Sequence, residues 1–140
     1  MARSLPLVST DEGIRMQQKP VVEQNQLRGP AQNLPATVVS GEKVIAPNSS
    51  GQTELDLLFT LSEETPANSI GLSLANAKGE KVFLGYDVKQ KQYFVDRRQA
   101  GIVDFAAEFP GRHTAPAQEA SQQIRMRLYL DHNSVELFAE

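Results

Sequence analysis

The sequence predicts an all-β fold, an antiparallel two-sheet β-sandwich. Three observations predict it. Apolar and polar residues alternate with period two in several segments, far more than they follow a helical period. Turn-forming residues recur at short intervals between those segments, as they do in sandwiches and barrels. The eight prolines suit loops and sheet edges better than helix interiors.

The elements follow in order. Gly13 to Lys19 reads as a strand carrying Ile14 and Met16, stopped by Pro20. Val22 to Arg28 fits a helical turn or an edge strand, and the pattern leaves both open. Ala36 to Ile45, rich in Val and Thr, reads as a weaker strand interrupted by Ser40-Gly41. Gln52 to Leu61 is stronger: Leu55, Leu57, Phe59 and Leu61 share one face, with Leu58 the exception on the polar side. Ser69 to Ala75, Glu80 to Asp87 and Gln92 to Asp96 follow as strands through Ile70, Leu72 and Leu74, through Val82, Leu84 and Tyr86, and through Tyr93 and Val95. Gly101 to Gln123 contains Pro110, Gly111 and Pro116 and reads as a surface connection, with a short helix near Ala117 to Gln123. Ile124 to Asp131 puts Ile124, Met126, Leu128 and Leu130 against Arg125, Arg127, Tyr129 and Asp131. Ser134 to Ala139 puts Val135, Leu137 and Ala139 against Ser134, Glu136 and Phe138.

Turns are expected at Asn48-Ser49-Ser50-Gly51, at Asn76-Ala77-Lys78-Gly79 and at Asp131-His132-Asn133-Ser134, the last joining two strong strands as a tight hairpin. Strict alternation then predicts a shared core of Leu55, Leu57, Phe59, Ile124, Met126, Leu128, Val135 and Leu137.

Composition narrows the function classes. With 140 residues, 40% hydrophobic and 22% charged, the chain is long enough for one globular core, and residues 1–140 read as a single β-sandwich domain. A net charge of −3 is a poor match for nucleic acid, which needs a concentrated basic face. No run of about 18 apolar residues suits a membrane-crossing helix. The absence of Cys removes disulfides, thiolate metal sites and Cys nucleophiles, without setting the compartment. The first residues lack the apolar stretch of a signal peptide. The last ones run straight out of a strand-like segment, so the domain is expected to be a piece of a longer polypeptide.

Catalytic signatures are sparse. His113 and His132 lie far apart in sequence and read as exposed turn histidines, so no metal and no cofactor is expected. Glu63-Glu64 precedes a Thr-Pro turn and reads as a solvated pair. No G-x-S-x-G elbow, P-loop or G-x-G-x-x-G fingerprint is present. Asn48-Ser49-Ser50 is a formal glycosylation sequon. Asp96-Arg97-Arg98, at a strand end, has two readings: a polar site in which Arg97 grips a carboxylate or a pair of sugar hydroxyls, or an Asp–Arg pair locking a hairpin corner. Asp96 and Arg97 are the substrate-binding candidates; no catalytic residue is nominated. In the final hairpin, Glu136 is placed to meet Arg127 or Arg125 across the strands.

Three stretches carry a family resemblance. LYLDHNSVELF, Leu128 to Phe138, resembles the D-x-S-S-V-E-V-F hairpin of family 32 glycoside hydrolases, the invertases, levanases and inulinases. YFVDR, Tyr93 to Arg97, with Gly101 and Phe105, resembles that family's D-R-S-x-S-G…F stretch. ARSLPL, Ala2 to Leu7, and IRMQQKPV, Ile14 to Val21, resemble the segment that leaves its catalytic domain. The order and spacing agree. Ala2, Ser4, Arg98 and Asn133 stand where the family pattern has Pro, Glu, Ser and Ser.

The resemblance implies the C-terminal β-sandwich of such an enzyme. Its catalytic carboxylates would then sit in an N-terminal five-bladed propeller, in N-D-P-N, R-D-P and E-C motifs that this chain does not contain. The implied role is to pack against that propeller and stabilise it, with fructan or sugar binding and self-association as further options. Self-association would use Leu5 to Val22 or the edge at Val135 to Ala139. A free-standing carbohydrate-binding module is the alternative. The absence of Trp and an aromatic content of 6% count against it, and the missing motifs count against a truncated active hydrolase.

Overall fold

A computed structural model describes residues 1–45, 52–64, 66–117 and 121–139. The chain divides into two compact units, Met1–Thr53 and Glu54–Glu140.

The first unit is built from short ladders. Strands β1 (Arg3–Ser4), β2 (Leu7–Thr10), β3 (Gly13–Met16) and β4 (Lys19–Pro20) precede a 3-10 helix at Val22–Leu27. β2 and β3 form an antiparallel hairpin in the register Leu7↔Met16 to Thr10↔Gly13. Gly13 closes the turn at φ +106°, a left-handed conformation open to glycine, and the Thr10 hydroxyl donates to its carbonyl at 2.8 Å. β1 pairs with β4, Arg3↔Pro20 and Ser4↔Lys19.

Of these strands the alternation reveals only β3, because Pro6 and the two-residue lengths of β1 and β4 hide the rest. Pro20 sits inside β4 rather than simply ending a strand. Ala36 to Ile45 is not a strand: it is irregular, and Gly41 at φ +84° turns the chain where the Val and Thr content suggests extension. Between the two open readings of Val22 to Arg28, the helical one holds. No residue from 1 to 45 is buried.

The second unit carries the sandwich. Its strands are β5 (Thr53–Thr60), β6 (Ser69–Ala75), β7 (Lys81–Asp87), β8 (Gln92–Gln99), β9 (Arg112–Pro116), β10 (Gln123–Leu130) and β11 (Val135–Ala139). One sheet has the order β6-β7-β8-β9 and the other β11-β10-β5. β6 to β9 pair antiparallel in sequence, and β10 pairs antiparallel with β11 in the register Met126↔Ala139 to Leu130↔Val135. The hairpin turn falls at Asp131–Ser134, where the Asp131 N–H donates to the Ser134 carbonyl at 2.9 Å.

Leu84 and Tyr86 from the four-stranded sheet meet Ile124, Met126 and Leu128 from the three-stranded one at the buried centre. Leu55, Leu57, Phe59, Val135 and Leu137 pack around them, so all eight predicted core residues lie in it.

Three features depart from the pattern. β9 lies inside the segment read as a connection; its exposed Arg-His-Thr-Ala-Pro run has no apolar face to betray it, and Pro116 is tolerated because β9 is an edge strand. Gln123, at the end of the expected short helix, already belongs to β10; residues 118–120 of that helix lie outside the described residues, as do the Asn48–Gly51 turn with its sequon and Thr65. Phe138, assigned to the polar face, is 8% exposed and meets Tyr129 edge-on at 5.8 Å.

One backbone contact fixes two glycines. Gly71 and Gly85 are register partners on β6 and β7. A Cβ on Gly71 would stand 2.1 Å from the Leu84 carbonyl oxygen, and one on Gly85 would stand 2.3 Å from that of Ile70. Neither clash can be relieved by rotating a side chain.

Candidate functional site

Asp96 and Arg97 are consecutive on β8, and the pleat gives them different partners. The Asp96 carboxylate accepts from Arg98 Nε at 2.9 and 3.2 Å, from Arg98 Nη2, and from the Arg98 backbone N–H at 3.1 Å. The Arg98 hydrogen bonds hold its carboxyl below the ordinary carboxylate range, against an opposing push from burial. Asp96 is therefore tied along its own strand to Arg98, and the structure does not join it to Arg97 in one site.

Arg97 sits in a different assembly. The β8–β9 ladder aligns Val95 with His113 and Asp96 with Arg112, which brings His113 beside Arg97. Arg97 Nη2 lies 2.8 Å from His113 Nε2. A guanidinium only donates, so Nε2 is the acceptor in this contact and Nδ1 is left as the donor side of the ring. Gly111 makes room: a Cβ there would stand 2.8 Å from His113 Nε2. The Arg97 N–H also donates to the Gly111 carbonyl at 3.0 Å.

On its other side the guanidinium lies over Phe109, 4.4 Å from the ring centroid, and Phe109 stacks at 47° against Phe105, centroids 4.5 Å apart. Arg97 Nε is buried without a hydrogen-bond partner. The result is a continuous row, His113–Arg97–Phe109–Phe105, ending in a ring that is 67% exposed. Phe109 and His113 in this row escape sequence reasoning. The four-residue spacing of Phe105 and Phe109, the two aromatic residues of the Gly101–Gly111 loop, is the signal that could have found Phe109.

Other polar clusters are cross-strand braces. Arg112 reaches Asp87 at 3.0 Å and covers the Phe94 ring at 3.9 Å, while Phe83 meets Phe94 edge-on at 5.0 Å. On the outer face of the other sheet, Arg125 grips Asp56 with two bonds at 2.9 and 2.7 Å, and Arg127 Nη2 adds a third at 3.2 Å. Tyr129 donates to Glu54 at 3.2 Å. The Arg125 hydrogen bond, with both arginine charges, holds the Asp56 carboxyl below its usual range against desolvation. Glu136 stands opposite Tyr129 in the ladder, and the arginines reach across to β5. Burial next to Tyr86 pushes the Tyr93 phenol up.

A cleft of about 270 Å³ at the β6–β7 turn is lined by Leu74, Asn76, Glu80, Val82 and Ala100 among others. Among the described residues Glu80 is the single carboxylate in its lining, whereas retaining glycoside hydrolysis uses two about 5–5.5 Å apart. Among the described residues no group of three or more His, Cys, Asp or Glu could hold a metal ion. His113, expected in a turn, lies on β9, and His132 is exposed in the hairpin turn.

The fold defines the class. The chain superposes on exo-inulinase from Aspergillus awamori with a TM-score of 0.81, covering 99% of this chain and 27% of that one. At 22% identity the likeness is one of fold, an antiparallel β-sandwich. Residues 16–140 match the family described as Glycosyl hydrolases family 32 C terminal, and the chain belongs to that family.

Two curated relatives are a levanase of Bacillus sp. (strain L7), 34% identical over 138 residues, and a levanase of Bacillus subtilis (strain 168), 30% identical over 139. Each alignment covers 97% of this chain, but the chain spans only 15% and 20% of their respective lengths.

Proposed function

We propose that this chain is the non-catalytic C-terminal β-sandwich domain of a longer glycoside hydrolase acting on fructans or sucrose, and that it stabilises an N-terminal five-bladed propeller by packing against it. The observation that carries the reading is the family match over residues 16–140, combined with the absence of N-D-P-N, R-D-P and E-C from the sequence. The residues of the resembling motifs support it by their positions. Asp96 and Arg97 lie inside β8, which runs on to Gln99 past the strand end expected at Asp96, and are braced by Arg98 and His113, and Leu128 to Phe138 spans the β10–β11 hairpin.

The exposed Leu5, Leu7, Ile14 and Met16 supply an apolar surface for a partner, and β11 lies at a sheet edge. Both features also support self-association of the isolated chain. No cofactor or metal enters the proposal.

A reducing-sugar assay with sucrose, levan and inulin tests the non-catalytic part. No turnover is expected; activity that follows the protein peak through repurification would overturn it. Light scattering after size exclusion, across a concentration series, tests self-association. A strictly monomeric, highly soluble chain would count against it.

A further inference from the structure

The cleft beside Glu80 is shaped by its own turn, in which Asn76 Oδ1 accepts from the backbone of Lys78 and Glu80. The Asp56 ladder is satisfied by its arginines. The loop from Gly101 to Gly111 is different. It enters at Gly101, φ +93°, where a Cβ would press on the Glu80 carboxylate at 3.1 Å. It is then fixed by Phe109 on Arg97 and by the Gly111 carbonyl on the Arg97 N–H. All this ordering holds up two side chains that face solvent, Phe105 at 67% and Ile102 at 81% exposure.

We propose that this loop is an ancillary sugar-binding platform: Phe105 receives the apolar face of a fructosyl ring of a levan- or inulin-type chain, Ile102 widens the apolar surface, and His113 offers its Nδ1–H to a hydroxyl. The proposal rests on the reading of the chain as part of a fructan hydrolase.

Three observations favour a sugar. A binding site for a small polar ring combines an apolar floor with a few oriented polar groups, and the row Phe105–Phe109–Arg97–His113 has that composition. The ring is held in advance by its stack on Phe109, so little ordering is left for the ligand to impose. The apolar surface is small. Among the described residues of 54–140, the exposed large hydrophobics are Leu58, Ile102 and Phe105. That is far short of the roughly 800 Å² per partner of a stable protein interface, and it suits one sugar ring.

A single Phe platform binds weakly. Weak binding is useful to an enzyme that works on a polymer, because a second contact on the same chain raises the effective concentration of the next residue.

The test is an NMR titration of the 140-residue chain with inulin-derived and levan-derived fructo-oligosaccharides, with a cello-oligosaccharide as control. Saturable shifts are expected at Ile102, Phe105 and His113 with a millimolar Kd, for a fructosyl ligand and not for the control. Phe105→Ala should weaken binding by roughly tenfold or more, about 1.4 kcal/mol, while Phe105→Trp retains it and Leu58→Ala leaves it unchanged. Phe105 is exposed, so the Ala variant is expected to fold, and an unchanged amide spectrum confirms that.

Absence of fructosyl binding, equal binding of the control, undiminished binding by Phe105→Ala, or shifts centred on the Glu80 cleft would each overturn the proposal. So would concentration-dependent broadening at Ile102 and Phe105 that sugar does not alter, which would assign the loop to a protein partner. Reducing-sugar release by the same sample would break the non-catalytic reading separately, leaving the shift map to decide the platform.

Discussion

The two units use the same secondary structure in opposite ways. Residues 54–140 fold around Leu84, Tyr86, Ile124, Met126 and Leu128, each 2% exposed or less. Residues 1–45 form ladders of two strands with no buried residue, and they leave Leu7 72%, Ile14 68% and Leu27 84% exposed. A two-stranded hairpin in water is marginal, whereas a sandwich gains from every inward side chain. Alternation alone therefore does not make an independent unit. It does so where several alternating strands supply inner faces that meet.

The largest expected effect tests the centre of the sandwich. Leu128→Ala, at 0% exposure, should cost about 2–5 kcal/mol in urea denaturation, through lost burial and the cavity left behind. Next comes the glycine pair. Gly85→Ala should cost roughly 1–3 kcal/mol, because its Cβ meets the Ile70 carbonyl rather than a side chain able to move. A neutral outcome would mean that β6 and β7 can separate at that point, and a thermal melt would show it.

Smaller still is the ion-pair ladder. The Arg125 hydrogen bond and the two arginine charges hold the folded-state pKa of Asp56 below that of an aspartate in the unfolded chain. Its contribution is fully present above the unfolded value and is lost as pH falls through the folded one. Asp56→Asn should therefore lower stability at neutral pH by about 1 kcal/mol or less and flatten the decline below about pH 4, since the carboxylate side chain is 39% exposed and screened. Unfolding curves from pH 2 to 7 check the sign; a variant as acid-sensitive as the parent would remove Asp56 from the account.

The smallest effect is expected in the first unit. Leu7→Ala or Ile14→Ala should change the stability of the isolated chain by no more than about 0.5 kcal/mol. A loss of several kcal/mol would erase the contrast between the units. Hydrogen exchange sharpens it further, with the slowest amides expected in β10 and the fastest in β1 to β4.

The sequence by itself determined the sandwich core. Leu55, Leu57, Phe59, Ile124, Met126, Leu128, Val135 and Leu137 were legible because one inward face per strand leaves a period-two trace, and a slip of one residue would expose them all. It also carried the motif residues Asp96, Arg97, Gly101 and Phe105 and the closing hairpin.

Tertiary structure decided what has no period. β9 is a strand because its backbone pairs with β8, although none of its five side chains is buried. Ala36 to Ile45 is irregular despite its β-branched residues, since β-propensity reflects a packing surface and not the backbone alone. Adjacent in sequence, Asp96 and Arg97 part company because the pleat turns successive side chains to opposite faces. Arg97 instead finds Phe109 and His113, which the chain brings back to β8 only by folding the loop and docking β9. Contacts set by register and loop closure depend on distances between segments, and a linear pattern holds no record of them.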